Sequence, residues 1–379
     1  MGAIKKLMII QMKKINNFIR RNIVLLVAGT LALITCIFVP IDAEYLNYFE
    51  INTLMSLFCI LAVVSGLKST NIFKLISRKM ILAFHNTRNI ICVLVFGIFI
   101  FDLIIANDMS LITFLPLTYI VLSSTKNKKY LAITFVLQTI AANMAGMITP
   151  HGNPQNLYLY SYFNIETLEF FKILLPEFIA TAILLYISIL FIPKKKLEID
   201  SKEIIKINKL KLAVYIILFI ITMLSIFRII HNIINLISVI FVLLFYDRKN
   251  IKEVDYGLIL SFCMFFIFSG NIARIPQIKM LIYNIVNKNT LIAGVLLCQL
   301  ISNVPTAIFL SKFTTNYNEL LAAVNLGSLG VMISSLASLI TFKEYLKHTR
   351  GKILKYIGTY TLINTVFFVI LIIIYTVLK

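Results

Sequence analysis

Ile105-Ala106-Asn107-Asp108-Met109-Ser110 and Ile301-Ser302-Asn303-Val304-Pro305-Thr306 decide how this chain folds. Each breaks a long apolar run with a short polar cluster, and each lies at the same place in its half of the sequence. In hydrocarbon every backbone N–H and C=O must find a partner, so such a break persists only where it lines a cavity or a ligand. Two matching breaks in two halves point to the binding site of a transporter.

The composition agrees. With 60% apolar residues, 14% charged residues and a mean hydropathy of +0.93, the chain reads as an integral membrane protein. Lysine and arginine (36) outnumber aspartate and glutamate (16), for a net charge of +20. The bases sit in short connections between apolar runs, so they read as topology control under the positive-inside rule, not as a nucleic-acid surface. Cys36, Cys59, Cys92, Cys263 and Cys298 occur singly in or beside apolar segments, against disulfides, zinc or redox chemistry.

Apolar runs able to span about 30 Å fall near 23–40, 50–67, 129–163, 168–192, 210–227, 230–246, 255–270, 319–341 and 355–378. Two further apolar regions, near 88–124 and 290–315, hold the polar breaks and read as re-entrant hairpins. Residues 1–22 form a basic amphipathic lead-in that puts the N-terminus in the cytoplasm, with no cleavage site after it. Acidic Asp42, Glu44 and Glu50 then lie outside. Lys68 to Arg88 and Lys126 to Lys129 flank the first hairpin on the inside, so the second hairpin opens outward. The fold expected is an all-α polytopic membrane protein: an inverted-repeat transporter with about nine spans, two re-entrant hairpins and two broken helices. Its repeats cover 23–192 and 210–379, joined by a cytoplasmic linker at 193–209, and it lies in the cell (inner) membrane.

Internal matches support the repeat. Shifting 50–67 by 204 positions pairs Leu54 with Leu258, Phe58 with Phe262, Cys59 with Cys263, Ser65 with Ser269 and Gly66 with Gly270. Shifting the first hairpin by 196 pairs Asn107 with Asn303, Thr118 with Thr314, and Ser110 with Thr306. Five spans separate corresponding elements, and an odd number inverts one half relative to the other.

The third informative segment is Asn143 to Asn156, NMAGMITPHGNPQN. Its prolines and glycines cannot continue a helix, so the span splits into two half-helices around a polar loop. The counterpart starts at Asn325 and runs through Gly327, Gly330, Ser334, Ser335 and Ser338. Half-helix N-termini offer N–H groups and partial positive charge to an anion, while unwound carbonyls and helix C-termini can hold sodium. The expected substrate and ion site therefore comprises Asn107, Asp108 and Ser110; Thr149, Gly152, Asn153, Pro154 and Asn156; Ser302, Asn303, Pro305 and Thr306; and Ser335. Sodium is expected near Asn107, Asp108, Asn303 and Thr306.

The Asn-Asp tip, the TPxGNPQN loop, the FxxFFIFSGN segment (Phe262 to Asn271) and the SNxPT tip together resemble the ion transporter superfamily. That group includes citrate and dicarboxylate carriers, arsenite-efflux permeases and sodium/proton antiporters. The resemblance implies an elevator-type homodimer that moves a small anion, citrate-like, dicarboxylate-like or an inorganic oxyanion, with sodium or protons as coupling ion and no other cofactor. The first tip, Asn-Asp-Met-Ser, is closer to the arsenite and antiporter branches, so both stand as alternatives.

Plainer roles compete at single residues. A charge at the bilayer centre costs about 2.5–3.5 kcal/mol on insertion scales, so Asp108 is either a cation- or proton-handling group or the cap of a helix starting near Met109. Asp102 is not on the face of Asp108 if the helix continues through both. His151 is a bonded loop histidine or a proton relay. Ser334, Ser335 and Ser338 touch ligand or bond back to helix carbonyls. Among other classes, an embedded prenyltransferase would need a second carboxylate cluster for magnesium-diphosphate, and an intramembrane protease facing aspartates or a Ser/His pair. Neither pattern is present in the sequence.

Overall fold

A computed structural model describes residues 23–84, 86–105, 107–196, 205–349 and 353–379. The lead-in expected over 1–22, with the orientation argued from it, and the middle of the linker expected at 193–209 lie outside these residues. Regular structure among the described residues is helical, apart from one isolated bridge between Asn86 and Lys196. The first half runs α1 Ile23–Phe38, α2 Ile51–Ser69, α3 Ile72–Leu82, α4 Thr87–Phe101, α5 Asn107–Ser124, α6 Leu131–Ala145, α7 Pro154–Tyr162, α8 Thr167–Ile173 and α9 Leu175–Leu190. The second runs α10 Lys209–Ile226, α11 Asn232–Phe241, α12 Tyr256–Ala273, α13 Pro276–Lys288, α14 Thr290–Ile301, α15 Asn303–Leu310, α16 Tyr317–Leu326, α17 Leu336–His348 and α18 Ile353–Leu378.

Among the described residues, five stretches are long and apolar enough to cross a membrane: Ile51–Ser69, Lys128–Ile148, Lys209–Ile226, Tyr256–Ala273 and Ile353–Leu378. Two pairs, α8 with α9 at 45° and α13 with α14 at 118°, are bent as broken spans or re-entrant loops are, and the count reaches seven only where each pair is taken as one span. Against the nine or so apolar runs of the sequence, the difference lies in the breaks, which divide runs into shorter helices. The run near 319–341, for example, is shared between α16 and α17. At about 1.5 Å per residue, the 15 residues of α4 and the 12 of α14 reach only part-way across about 30 Å of hydrocarbon. They are hairpin arms.

The helices sort into two bodies by packing. Around α6 lie α4, α5, α9, α17 and α18, and α7 with α15 continues this group toward α14 and α16. The stretch Lys128–Ile148 is 94% buried, against 22% for Ile353–Leu378, whose side chains face outward as a lipid-facing span requires. A second body joins α1 to α12 and α2 to α10 and α11, so each body draws on both halves. The two meet where α2 touches α7 and α12 touches α15. At the end of α12, Arg274 forks the Asp42 carboxylate at 2.6 and 3.0 Å and holds it below the usual carboxylate range.

Within the second body, α2 and α10 approach at Gly66. The Tyr215 hydroxyl donates to Asp247 at 2.8 Å and accepts from Asn250 at 3.0 Å, which fixes its ring against α2. A Cβ on Gly66 would fall 1.9 Å from that ring, whereas one on Gly29 would meet nothing within 4 Å. Gly66→Ala is therefore expected to cost about 1–3 kcal/mol through overpacking. Its unfolding temperature in detergent should fall while that of Gly29→Ala does not; equal values would refute the contact.

Candidate functional site

Asn86 starts the first hairpin by accepting from the Asn89 N–H at 3.0 Å, capping α4. The helix ends at Phe101, the chain turns through Asp102 to Ile105, and α5 begins at Asn107. The chain turns here, so the helix does not continue from Asp102 to Asp108, and Asp102 comes beside Ser110. Asp102 is fully buried there, as is Ser110. The tip is tied to the broken span that follows: Asn107 N–H donates to the Gly152 carbonyl at 3.4 Å. Gly152 has to be glycine, since a Cβ would lie 2.5 Å from the Gly146 carbonyl oxygen. Asn153 and Pro154 restart the helix as α7, with proline at its first turn where a missing N–H costs nothing.

The second hairpin repeats the plan with different chemistry. Between α14 and α15 a single residue, Ser302, makes the turn at φ 77° and ψ 162°, a region that side chains rarely enter. Ser302 Oγ donates to the Ser334 carbonyl at 3.2 Å, and Thr306 Oγ1 donates back to the Ser302 carbonyl at 2.8 Å. Gln299 strengthens the tie, donating to Gly327 O at 2.7 Å and accepting from Val331 N–H at 2.8 Å. Each hairpin tip is thus hydrogen-bonded to the broken span of its own half.

Amides join the two broken spans. Asn325 donates to Asn156 Oδ1 at 2.8 Å and accepts from Gln155 at 3.4 Å. Asn143 donates to Ser335 Oγ at 3.0 Å. Asn156 also donates to Gly146 O at 2.9 Å, meeting a carbonyl freed where α6 ends. Neutral amides satisfy the broken backbone without bringing a charge into the membrane.

These ties enclose a cavity of ≈260 Å³, lined by Asn107 and Asp108 of the first tip, by His151, Asn153 and Pro154, and by Asp255 and Lys343. A smaller cavity of ≈80 Å³ adjoins it, lined by Ser302, Asn303 and Pro305 of the second tip together with Ser261 and Phe262. Asp255, Leu258 and Leu336 line both. The N-terminal ends of α5, α7, α12, α15 and α17 therefore all reach this space. Each brings the partial positive charge of a helix start, with some first-turn N–H groups taken by caps, Leu258 by Asp255, Val304 by Asn303 and Ser338 by Ser335.

Of the expected residues, Asn107, Asp108, Asn153, Pro154, Ser302, Asn303 and Pro305 line the two cavities. Ser110, Thr149, Gly152, Asn156, Thr306 and Ser335 stand behind them. Ser335 caps α17, accepting from Ser338 N–H at 3.2 Å. Thr149 Oγ1 and Asn153 Oδ1 are buried oxygens without a protein partner. His151 sits between the two alternatives: its Nε2 lies 3.1 Å from the Leu103 carbonyl, while its Nδ1 has no partner. Sequence reasoning missed Asp255 and Lys343. Asp255 accepts from Leu258 N–H at 3.1 Å and reads as an ordinary helix cap, its only local signal.

A family profile described as citrate transporter matches residues 7–342. An uncharacterized transporter of Methanocaldococcus jannaschii is 31% identical over 316 residues, which cover 83% of this chain and 86% of that protein. The inner membrane protein YbiR of Escherichia coli is 24% identical over 300 residues, covering 77% and 79%.

The turn at Ser302 gives a direct check. Ser302→Gly and Ser302→Ala both lose the hydroxyl tie, but only glycine relieves the backbone. The glycine variant should be the more stable of the two by about 1 kcal/mol or more, measured by thermal unfolding; the reverse order would place the turn elsewhere.

Proposed function

The chain belongs to the citrate transporter family, and from that premise we propose that this secondary transporter carries a small carboxylate or oxyanion, coupled to sodium or protons, by an elevator movement. The observation that carries the proposal is the meeting of five helix N-termini and two hairpin tips on adjoining cavities. N–H groups at helix ends are ready donors for an anion and require no buried arginine cluster. Asn107, Asn153, Ser302 and Asn303 add neutral polar groups at the same ends.

Coupling follows from the charges on the cavity. Asp108 and Asp255 are both there, with Lys343 as the one cationic side chain among the lining residues. Two ionised carboxylates repel an entering anion strongly in a space of low effective dielectric. A sodium ion or a proton bound at Asp108 removes that repulsion, so anion and cation enter together. The unpartnered Thr149 Oγ1 and Asn153 Oδ1 and the carboxylate of Asp108 are oxygens of the kind a hard cation takes. The alternative of cation/proton exchange draws on the same two carboxylates.

The hydrogen bonds also support a rigid carrying unit. Asn143–Ser335 and Asn156–Asn325 hold the two broken spans together, and each holds its own hairpin tip. These elements would move as one body past the frame of α1, α2, α10, α11 and α12. Asp255 and Lys343 are exposed, so the cavity opens toward the side that the charge rule places in the cytoplasm.

Purified protein in liposomes tests this reading with citrate, succinate, arsenite and phosphate under sodium or pH gradients. Saturable uptake that supports counterflow is expected for one of the anions. Asp108→Asn should retain folded yield and counterflow but lose gradient-driven uptake by tenfold or more, as expected for an intramembrane ionisable group. Full gradient-driven uptake in that variant would contradict the coupling assignment.

A further inference from the structure

A separate cavity of ≈360 Å³ lies where the α5–α6 connection meets the end of α17 and the start of α18. Lys128, Lys129, Lys355 and His348 line it with Tyr345, and no carboxylate does. It shares no lining residue with the cavities at the hairpin tips. The His348 imidazole stacks on Tyr119 at 3.6 Å and 10°, which joins α17 to α5 and gives the cavity a firm wall. Lys128 Nζ lies 5.3 Å from the centre of the same Tyr119 ring. The nearby Glu344 is already engaged, by Lys347 at 2.6 Å and His348 at 3.0 Å.

Lys128, Lys129 and Lys355 are exposed, and among the described residues none of them has an ion-pair partner. The positive-inside rule accounts for basic loops. It does not account for lysines from two connections, more than two hundred positions apart, ringing one concavity that lacks acid. Like charges gathered this way repel, and a bound anion removes the repulsion. Apolar surface lies beside Lys355, where Leu354 is 84% exposed.

We propose that this cavity binds a phosphate-bearing anion, and that the phosphodiester of an anionic lipid headgroup is its occupant. Three ammonium groups attract the single negative charge of the phosphodiester, Tyr345 and His348 supply an aromatic wall, and the apolar flank receives acyl chains. Free phosphate shares the headgroup chemistry but makes no use of the flank. The site is independent of which solute the protein transports.

The test uses the full chain in neutral detergent, titrated with dioleoyl phosphatidylglycerol or dioleoyl phosphatidylcholine and read by native mass spectrometry and thermal shift. Each basic side chain near an anionic lipid is worth about fivefold in affinity. The triple variant Lys128→Gln, Lys129→Gln, Lys355→Gln should therefore bind phosphatidylglycerol about 100-fold more weakly. Single variants Lys128→Gln and Lys355→Gln, expected to lose about fivefold each, stand in should the triple unfold. The control Lys194→Gln, Lys195→Gln, Lys196→Gln changes net charge equally at exposed positions and should keep wild-type binding. Inorganic phosphate that competes with the lipid and gives the same shift would assign the site to free phosphate. No shift with either ligand, or equal losses in the pocket and control variants, would overturn the proposal.

Discussion

A bare backbone amide is not tolerated in hydrocarbon, and the whole arrangement follows from how this chain meets that constraint. It breaks its helices after Phe101, at 149–153, at Ser302 and at 327–335, leaving N–H and C=O groups that a continuous helix would have paired. The tips satisfy part of this demand by bonding to the broken spans, and asparagines satisfy more, Asn156 donating to the Gly146 carbonyl and Asn153 to the Asn143 carbonyl. What is left over is the helix N-termini at the central cavities and, buried near them, the unpartnered oxygens of Thr149 and Asn153. The residue of the structural problem is the chemistry of the site.

The two kinds of leftover group have opposite signs, and this gives the proposed coupling a physical basis. Helix N-termini favour an anion, while Asp108 and Asp255 favour a cation in the same space. Neither charge is comfortable there alone. A carrier whose site is satisfied only by both ions together moves them together, whatever their identity.

Much of this was legible in the sequence because the signals are local. Gly152 and Pro154 cannot sit inside a helix, and the matched Asn107 and Asn303 mark both tips. Their helix-starting positions follow from the same local chemistry. Other features depend on tertiary proximity, which periodicity does not report. Asp108 and Asp255 line one cavity although 147 positions separate them. Asn325 was visible as the start of a glycine-rich break, but its bonds to Asn156 and Gln155 were not. Ser335 is placed as a helix cap behind the cavity, because a serine before a helix serves its backbone first. The place of Asp102 relative to Asp108 depends on whether the helix continues between them, and the turn after Phe101 shows that it does not.

The central claim is that both tips face water inside the membrane, in one connected space. Single cysteines at Met109 and Val304, which line the larger and smaller cavities, can be tested in a background whose native cysteines are replaced by serine. Labelling by a small water-soluble methanethiosulfonate in intact membranes should be fast at both, and slow at a control cysteine replacing Leu300, which is 71% exposed but on the outer face of α14. Labelling at either tip as slow as at the lipid-facing control would contradict the account.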